Sequence, residues 1–269
     1  MLLGLITILI TIYLFVNSNG AIEYYEVRKD ILSNFIKEYI IDYQVIDNLN
    51  FDLNKLEYPV VFKPIKCSRA SFGVSIINNY KEGYNYLKNL KKTQFPIMAQ
   101  KYYFGRELTI MYEKHPITEK INLILVERIV NNINDSKQKK YIWNEEHYEY
   151  NKIYVTRNEY ITEKLKNKIK KISDNLPNVN VCRYDIKFND IEKFKNGEDI
   201  NIIEVNLSGG FDLRVHTKKN KLVKYGIRLN YFIKRLYYGI LKLLLLEYID
   251  LYTFFFKILP SIFNLLNCK

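Results

Sequence analysis

Apolar and polar positions along residues 58–207 mostly follow the period of β-strands, interrupted by stretches with the period of helices. Runs that alternate, or are apolar throughout, and that end at Gly, Pro, Asn or Asp predict strands. The predicted strands are 58–64, 74–77, 96–103, 107–113, 121–130, 181–188 and 201–207. Strand pairs separated by isolated helices favour an α+β fold with antiparallel sheets.

Three segments show apolar residues at helical spacing. The first begins near residue 24 and repeats apolar residues every four positions: Val27, Ile31, Phe35 and Tyr39. The second covers 81–92. The third follows a capping-box pair, Thr156 and Glu159. Its apolar face is predicted as Ile161, Leu165, Ile169 and Ile172. The preceding segment, 131–155, is charged and only weakly patterned.

Both ends of the chain are apolar. Residues 2–16 carry no charge, but a helix of that length, at ~1.5 Å per residue, reaches about 23 Å, short of the ~30 Å bilayer core. This run fits a signal peptide, a short signal-anchor or a buried element, and the residues leave all three open. Residues 221–269 have a helical pattern that charged residues and Pro260 interrupt. This pattern favours an amphipathic helix pair, either packed on the domain or lying on a membrane surface.

The composition excludes several classes of protein. With 48% hydrophobic residues, 10 Gly and 6 Pro, the chain has the apolar content of a folded protein, which disordered and collagen-like chains lack. Its three Cys and three His lack the spacing of a disulfide framework or a zinc site. The net charge is +12, but the basic residues are spread along the chain without a nucleic-acid-binding motif. We therefore expect no nucleic-acid partner, and a basic groove for an anionic ligand accounts for part of the charge.

Two predicted strands each carry a polar face. In the first, Arg183 and Asp185 alternate with apolar residues, and in the second Glu204 and Asn206 do so. The predicted core-facing residues are Cys182, Tyr184, Ile186 and Phe188, then Ile203, Val205 and Leu207. If these strands pair, one face presents two carboxylates and an amide beside Arg183, and hard oxygen donors of this kind suit Mg²⁺. A solvated polar face explains the alternation equally well.

Two further segments contain groups that suit a nucleotide. Lys63 lies in an apolar strand and precedes a loop of small, polar and basic residues that includes Lys66, Ser68, Arg69, Ser71 and Gly73. A lysine charge together with loop N–H groups suits a phosphate. In residues 100–107, two strand-like pieces meet at Gly105, where an apolar hinge suits a flat base and Glu107 suits ribose hydroxyls. Neither segment is specific by itself.

The order and spacing of these motifs resemble the ATP-grasp superfamily of carboxylate–amine ligases, notably its D-alanine–D-alanine ligase-like branch. The resemblance covers about residues 28–216 and rests on PVVFKP with its loop, QKYYFGRELTI, and RYDIKF followed by INIIEVNLSGG. It implies an ATP-grasp fold, in which two α+β subdomains with antiparallel sheets hold ATP between them. It also implies ATP and Mg²⁺ as cofactors, with Mn²⁺ as an alternative metal.

Matched residue by residue, the resemblance implies a role for each group. The predicted phosphate-binding residues are Lys63, Ser68, Arg69, Ser71 and Gly73. The predicted adenine-lining residues are Gln100, Lys101, Tyr102 and Tyr103, and Glu107 is predicted to bind ribose. The predicted metal ligands are Asp185, Glu204 and Asn206. The predicted catalytic residues are Lys63, Arg183, which steadies the transferred phosphoryl group, and Arg214, which together with His216 is a candidate for an acyl phosphate or a carboxylate.

The chain departs from the family pattern at three places. Its phosphate loop has few glycines, so Arg69 is a candidate phosphate contact. Gln100 stands where an acidic residue is common in the family. The N-terminal region is also short.

The chain is predicted to divide into five parts. These are a signal-anchor or signal peptide at 1–20, a truncated N-terminal region at 21–57, a small ATP-grasp subdomain at 58–105, a large subdomain with the Mg²⁺ site at 106–219, and a helical tail at 220–269.

The activity implied by the resemblance is an ATP- and Mg²⁺-dependent ligase that forms a carbon–nitrogen bond through an acyl phosphate and releases ADP. Its expected substrates are a carboxylate and an amine, small or polymeric, and the membrane-proximal features favour a cell-envelope or surface-polymer component. One alternative is a kinase on the same fold, from which hydroxylamine trapping of an acyl phosphate would distinguish a ligase. Another is a non-catalytic, nucleotide-binding, membrane-associated protein. A homo-oligomer is compatible with the sequence.

We expect the protein to be associated with a membrane through its N-terminus, with the catalytic domain facing the cytoplasm. ATP is a cytosolic ligand, so a domain that uses it is expected on that side. Arg28 and Lys29 follow the apolar run, and basic residues favour the cytoplasmic side of an anchor.

Overall fold

The computed structural model describes residues 29–65, 73–91, 94–130, 152–176, 179–206, 213–218 and 220–245. The helices in these ranges are α1 (Lys29–Phe35), α2 (Tyr80–Lys88), α3 (Glu163–Asp174), α4 (Ile191–Lys195), α5 (Arg214–Thr217) and α6 (Lys221–Leu245), with 3₁₀ turns at Leu53–Lys55 and Asn158–Tyr160. The strands are β1 (Tyr43–Ile46), β2 (Val60–Pro64), β3 (Ser75–Ile77), β4 (Ile97–Lys101), β5 (Arg106–Lys114), β6 (Ile121–Val130), β7 (Lys152–Thr156), β8 (Val181–Phe188) and β9 (Asn201–Asn206).

The first sheet has four antiparallel strands in the order β1-β4-β2-β3. The side chain of Asn79 caps the N-terminus of α2 by accepting a hydrogen bond from the backbone N–H of Glu82. Together the sheet and α2 bury a core that includes Ile46, Phe62, Ile77, Leu87 and Ile97. This small core holds β2 and β4 side by side, so that Lys63 and Gln100 come from neighbouring strands.

The second sheet has five antiparallel strands in the order β7-β6-β5-β8-β9. Its core-facing residues pack against α1, α3 and α4 and include Leu108, Ile110, Tyr112, Tyr184 and Ile186. Because side chains alternate along a strand, Thr109 and Asp185 then lie on the opposite face. The opposite face is where the polar residues of β5, β8 and β9 come together.

The α+β fold with antiparallel sheets is confirmed, and each of the seven predicted strands is present. The sequence patterns did not reveal β1 and β7. β1 lies in the region predicted as N-terminal, 21–57, yet it pairs with β4, and β7 lies in the weakly patterned segment 131–155 and pairs with β6. Both are short strands, of four and five residues, so an alternating pattern has too few positions to be recognised.

The helix predicted in this region is present as α1, but the four-residue spacing does not follow its buried side. α1 ends at Phe35, which is exposed, and the buried positions are Leu32 and Ile36. The four-residue spacing from Val27 to Tyr39 crosses the end of the helix, since residues 36–39 form a turn that leads towards β1. The buried apolar positions are therefore offset by one residue from Ile31 and Phe35 of the repeating pattern.

The predicted capping box was also misplaced. Thr162 caps α3, because its side-chain oxygen accepts a hydrogen bond from the Leu165 N–H. Thr156 is instead the last residue of β7, and Glu159 lies in a 3₁₀ turn. Within α3 the predicted apolar face is confirmed, since the buried residues include Leu165, Ile169 and Ile172.

Among the helices of the described ranges, none has both the length and the apolar character needed to cross a bilayer. Several predictions concern residues outside those ranges: the apolar run, residues 21–28 of the N-terminal region, the loop residues Lys66, Ser68, Arg69 and Ser71, the segment 131–151 with His147, and the tail beyond residue 245.

Candidate active site

The strand pair β8–β9 brings the three predicted metal ligands together. Asp185 lies opposite Glu204 and Arg183 lies opposite Asn206, so the four side chains share one face of the sheet. The Asp185 carboxylate accepts hydrogen bonds from Asn206 Nδ2 at 3.1 Å and Arg183 Nη2 at 3.0 Å. Its other oxygen accepts from Thr109 Oγ1 at 2.8 Å. Thr109, on the neighbouring strand β5, was not predicted from the sequence.

A β-bulge in β9 sets which residues face the site. Asp185 pairs with Glu204, but Ile186 pairs with Ile202, so Ile203 is an extra residue on β9. The buried residues of β9 are therefore Ile202 and Val205. The predicted core-facing set was wrong at Ile203, because the bulge shifts the alternation by one residue; Val205 is confirmed, and Leu207 lies outside the described ranges.

Lys63 links the two sheets. It comes from β2, and its ammonium donates to the Gln100 side-chain oxygen at 2.9 Å and to the Ile203 carbonyl at 2.9 Å. Gln100 Nε2 also donates to the carbonyls of Ile41 and Ile203 at 3.2 and 3.3 Å. The bulge thus presents a backbone acceptor to both side chains, and the Lys63 charge is held next to the strand that carries Glu204.

The environment of Lys63 lowers the pKa of its ammonium group. The residue is only 3% exposed, and burial lowers its pKa to about 8, against a smaller opposing effect of Glu204. Burial likewise raises the pKa of Glu204, but Lys29 and Lys63 outweigh it and the net direction is downward. The site therefore keeps Glu204 ionised at neutral pH beside two cations.

Lys29 is the unexpected member of this site. Its ammonium lies 3.0 Å from Glu204 Oε1, with 13% of the lysine side chain and 22% of the glutamate side chain exposed. In the sequence it was interpreted as a basic residue that flanks a membrane anchor. In the fold it belongs to α1, at the first residue of the helix, and packs its charge against β9.

The predicted adenine-lining segment occupies the end of β4 and the turn that follows it. Gln100 is buried and engaged with Lys63, whereas Lys101 points to the surface and pairs with Glu57 at 3.2 Å. The Tyr102 ring lies edge-on to Phe104, and Tyr103 Oη donates to Asp199 at 3.4 Å. The two tyrosines are thus fixed in position, and their contact with adenine stays a prediction.

Gly105, the last residue before β5, has backbone geometry that favours glycine. Its φ is +154°, and a Cβ there would lie 2.8 Å from the carbonyl oxygen of Phe188. Two residues later, Glu107 pairs with Arg128 of β6 and lies opposite Lys187 of β8. Neither Arg128 nor Lys187 was predicted from the sequence. They place positive charge beside Glu107, the residue predicted to bind ribose.

Of the predicted phosphate loop, the structure describes Gly73. It has a φ of +71°, and a Cβ would lie 2.9 Å from Pro64 Cγ, so the chain passes close to the end of β2. The Tyr86 hydroxyl of α2 donates to the Gly73 carbonyl. The turn that ends the loop is therefore fastened near Lys63.

The structure places Arg214 and His216 in α5, the short helix just before the start of α6. Arg214 lines an open cavity of about 590 Å³ between α6 and β6, together with Asn122, Asn230 and Lys234. The His216 ring packs on the Tyr154 ring with centroids 4.9 Å apart. A role for Arg214 towards an acyl phosphate or a carboxylate stays a prediction.

The donor set suits Mg²⁺. Two carboxylates and an amide supply hard oxygen atoms from adjacent strands, and Mg²⁺ usually completes its shell with water and substrate phosphates. No group of three or more His, Cys, Asp or Glu side chains is arranged for a metal among the described residues. The two carboxylates and the amide have the composition of a Mg²⁺ site that is shared with substrate phosphates.

Two antiparallel sheets, with a lysine from one sheet next to the carboxylate–amide face of the other, fit the ATP-grasp arrangement that the sequence motifs resemble. The family follows from the sequence: residues 41–236 match the family described as D-ala D-ala ligase C-terminus. The chain belongs to this family, whose members are ATP-grasp ligases that form carbon–nitrogen bonds with release of ADP. The prediction of an ATP-grasp ligase is confirmed at this level.

Solved structures agree with this fold. The D-alanine–D-alanine ligase from Bacillus anthracis is 19% identical, with 81% of this chain and 68% of that one covered and a TM-score of 0.54. The same enzyme complexed with ATP gives 15% identity, 79% and 68% coverage and a TM-score of 0.50. The VanG D-Ala:D-Ser ligase from Enterococcus faecalis gives 14% identity, 80% and 60% coverage and a TM-score of 0.50. No curated protein matches the sequence.

Proposed function

We propose that this protein is an ATP- and Mg²⁺-dependent carboxylate–amine ligase that works through an acyl phosphate. The observation that carries the proposal is the shared face of Asp185, Glu204 and Asn206, with Arg183 beside them and Lys63 reaching across from the other sheet. Catalysis of phosphoryl transfer is mainly positioning and charge stabilisation, so it does not require a nucleophilic side chain.

Each residue has a role in this proposal. Asp185, Glu204 and Asn206 hold the metal, which when bound neutralises charge on the phosphate groups. Lys63 contributes a buried positive charge towards phosphate, and Arg183, fixed by its ion pair with Asp185, stabilises charge on the transferred group. The cavity beside Arg214 combines cationic, amide and apolar groups, which suits a carboxylate-bearing substrate.

The test is to follow ADP release with candidate carboxylates, with and without amines, and to trap the product with hydroxylamine. A ligase should give ADP that depends on the carboxylate, and a hydroxamate when hydroxylamine replaces the amine. ADP release with a stable phosphorylated hydroxyl compound and no hydroxamate would instead identify a kinase. Binding of ATP with no turnover over a broad set of substrates would favour the non-catalytic alternative.

The affinity for ATP should depend on pH through Lys63. Since its pKa is lowered to about 8, the charged fraction falls as the pH rises through that value, and ATP binding should weaken over the same range. A charge-assisted contact contributes about 1.5–3 kcal/mol, or about ten- to hundredfold in Kd. Equilibrium ATP binding measured on either side of about pH 8 tests this.

The matched variants are Lys63→Ala and Lys88→Ala, the second of which removes an exposed lysine from α2. Lys63→Ala should bind ATP weakly at both pH values, whereas Lys88→Ala should retain the affinity and the pH dependence of the parent. An affinity that stays constant through pH 8 in the parent protein would contradict the lowered pKa.

Glu107→Ala should reduce affinity for ATP more than affinity for 2′,3′-dideoxy-ATP. The reason is that a carboxylate acceptor for ribose hydroxyls matters only when those hydroxyls are present, and such a hydrogen bond contributes about 1.5–3 kcal/mol. Isothermal titration with both nucleotides measures the two losses. Equal losses would reject the ribose role and leave Glu107 as the partner of Arg128.

Membrane association is a second part of the proposal, and α6 supports it. Five apolar side chains spaced three or four residues apart along this helix are 49–79% exposed: Leu222, Tyr225, Leu229, Ile233 and Tyr237. Residues 220–245 contain no acidic residue and six basic ones, which complements an anionic lipid surface. The helix would lie on the cytoplasmic surface, and the apolar N-terminal run would anchor the chain there.

Sedimentation with vesicles tests this part. The protein should bind vesicles that contain anionic lipid and should bind purely zwitterionic ones less. The double variant Leu229→Glu and Ile233→Glu should lose most of that binding, whereas Leu49→Glu, an exposed apolar site outside α6, should not. In cells, deletion of residues 1–20 should release part of the protein from membranes; full-length protein in the soluble fraction would contradict the anchor.

A further inference from the structure

Lys29 connects the N-terminal helix to a predicted metal ligand. Its backbone N–H donates to the carbonyl of Ile65 at 3.2 Å, just beyond β2, while its side chain reaches Glu204 on β9 at 3.0 Å. The residue therefore touches both sheets at the point where they meet. Because both side chains of the pair are largely shielded from water, the ion pair is screened less than a surface pair.

Every predicted metal ligand has a partner within the protein, but the partners come from different parts of the fold. Asp185 and Asn206 are held by each other, by Thr109 and by Arg183, all on the second sheet. Glu204 is instead paired with Lys29 of α1. A divalent cation that ligates Glu204 therefore meets a positive charge already placed 3.0 Å from one of its oxygens.

We infer that Lys29 sets the metal affinity of this site by competing with the divalent cation for Glu204. The inference rests on the proposed function, since it uses the proposed metal site. Metal binding displaces the ammonium from Oε1, and the displaced side chain loosens the attachment of α1 to β9. Because such coupling is reciprocal, the ion pair must weaken metal binding by the same factor by which metal weakens the pair.

The experiment measures Mn²⁺ binding by electron paramagnetic resonance in the absence of nucleotide, so that turnover plays no part. Lys29→Met keeps the length of the side chain and removes its charge, and it should tighten Mn²⁺ binding roughly five- to tenfold. Lys37→Met is the matched control, since it removes an exposed lysine just after the same helix. Thermal unfolding shows whether both variants retain the fold.

Three outcomes would overturn the inference. Mn²⁺ affinity that is unchanged or weaker in Lys29→Met would show that the lysine does not compete, and equal tightening in both variants would reduce the effect to net charge.

Glu204→Gln separates this inference from the proposed function. If the parent protein binds Mn²⁺ and Glu204→Gln does not, the metal site stands whatever Lys29 does; if the Glu204 substitution has no effect on binding, the metal site is wrong and the inference falls with it.

Hydrogen exchange gives an independent readout of the same coupling. Saturating Mg²⁺ should speed amide exchange in α1 of the parent protein several-fold, because α1 loses its attachment to Glu204. In Lys29→Met, α1 should exchange faster from the start and should respond little to Mg²⁺. Exchange in α1 that slows when Mg²⁺ is added to the parent would contradict displacement.

Discussion

Replacing Glu204 with glutamine should lower ATP turnover at least about 100-fold while the protein stays folded. The change removes one negative charge from the proposed metal site with almost no change in volume, and loss of one electrostatic stabiliser of a transition state commonly costs about 10²–10³ in kcat. ADP release in the presence of Mg²⁺ measures the effect. Glu198→Gln, which neutralises an exposed carboxylate shortly before β9, serves as the control and should be nearly silent.

A small effect of Glu204→Gln would be informative in a specific way. If the variant released ADP at the parent rate, the metal would have to be held elsewhere, and the shared face of β8 and β9 would be a structural polar network. If it lost both activity and its cooperative unfolding transition, Glu204 would be needed mainly for its ion pair with Lys29. The unfolding curve therefore has to accompany the activity measurement.

The second large effect is on stability and concerns Glu127 of β6. This carboxylate is 4% exposed and accepts from Arg106 Nε at 2.7 Å and Arg157 Nε at 2.6 Å. Glu127→Ala would leave two guanidinium groups facing each other. Removing one partner of a buried ion pair typically costs 3–5 kcal/mol, and because the arginines are partly exposed we expect about 3 kcal/mol, read from the urea midpoint.

Glu159→Ala provides the matched control. Glu159 also pairs with Arg157, at 3.6 Å, but its side chain is 58% exposed, so its loss should change the free energy of unfolding by less than about 1 kcal/mol. Similar losses for both variants would show that the burial of Glu127 does not matter.

The contribution of Glu127 should also depend on pH. Burial raises its pKa, but the hydrogen bonds from Arg106 and Arg157 outweigh burial and hold the pKa below the ordinary value of 4.5. A carboxyl group whose pKa is lower in the folded state stabilises the fold above its unfolded pKa, and this contribution is lost as the pH falls through the folded pKa. The difference between the parent and Glu127→Ala should therefore shrink under acid conditions.

Local patterns in the sequence were sufficient to predict the elements that bury one clear face. The alternation of β8 identified both its core side and its polar side, and the spacing of Leu165, Ile169 and Ile172 identified the buried face of α3. In these elements a single period persists over the whole length, so burial and sequence pattern agree.

The remaining features depend on contacts between distant parts of the chain. The bulge at Ile203 arises from the pairing of β9 with β8, and no residue type at that position announces it. Lys29 and Glu204 are separated by most of the chain, and the sequence around Lys29 resembles the basic flank of an anchor more than part of a site. Thr109 lies between apolar residues of β5, so the sequence pattern did not single it out as a site residue. Only the fold brings these groups to one place.

Part of the segment that covers the edge of β9 lies outside the family match. β9 is the last strand of its sheet, and its outer edge forms hydrogen bonds with the segment after α1. The Ile202 N–H donates to the Tyr39 carbonyl and the Ile41 N–H donates to the Ile202 carbonyl, both at 2.9 Å. The match begins only at residue 41. A fragment trimmed to that boundary would lose Tyr39 and leave the edge of the strand that carries Glu204 and Asn206 partly open, and open strand edges pair readily with other chains. Such a fragment should therefore self-associate, and fragments intended for crystallisation should begin no later than Lys29.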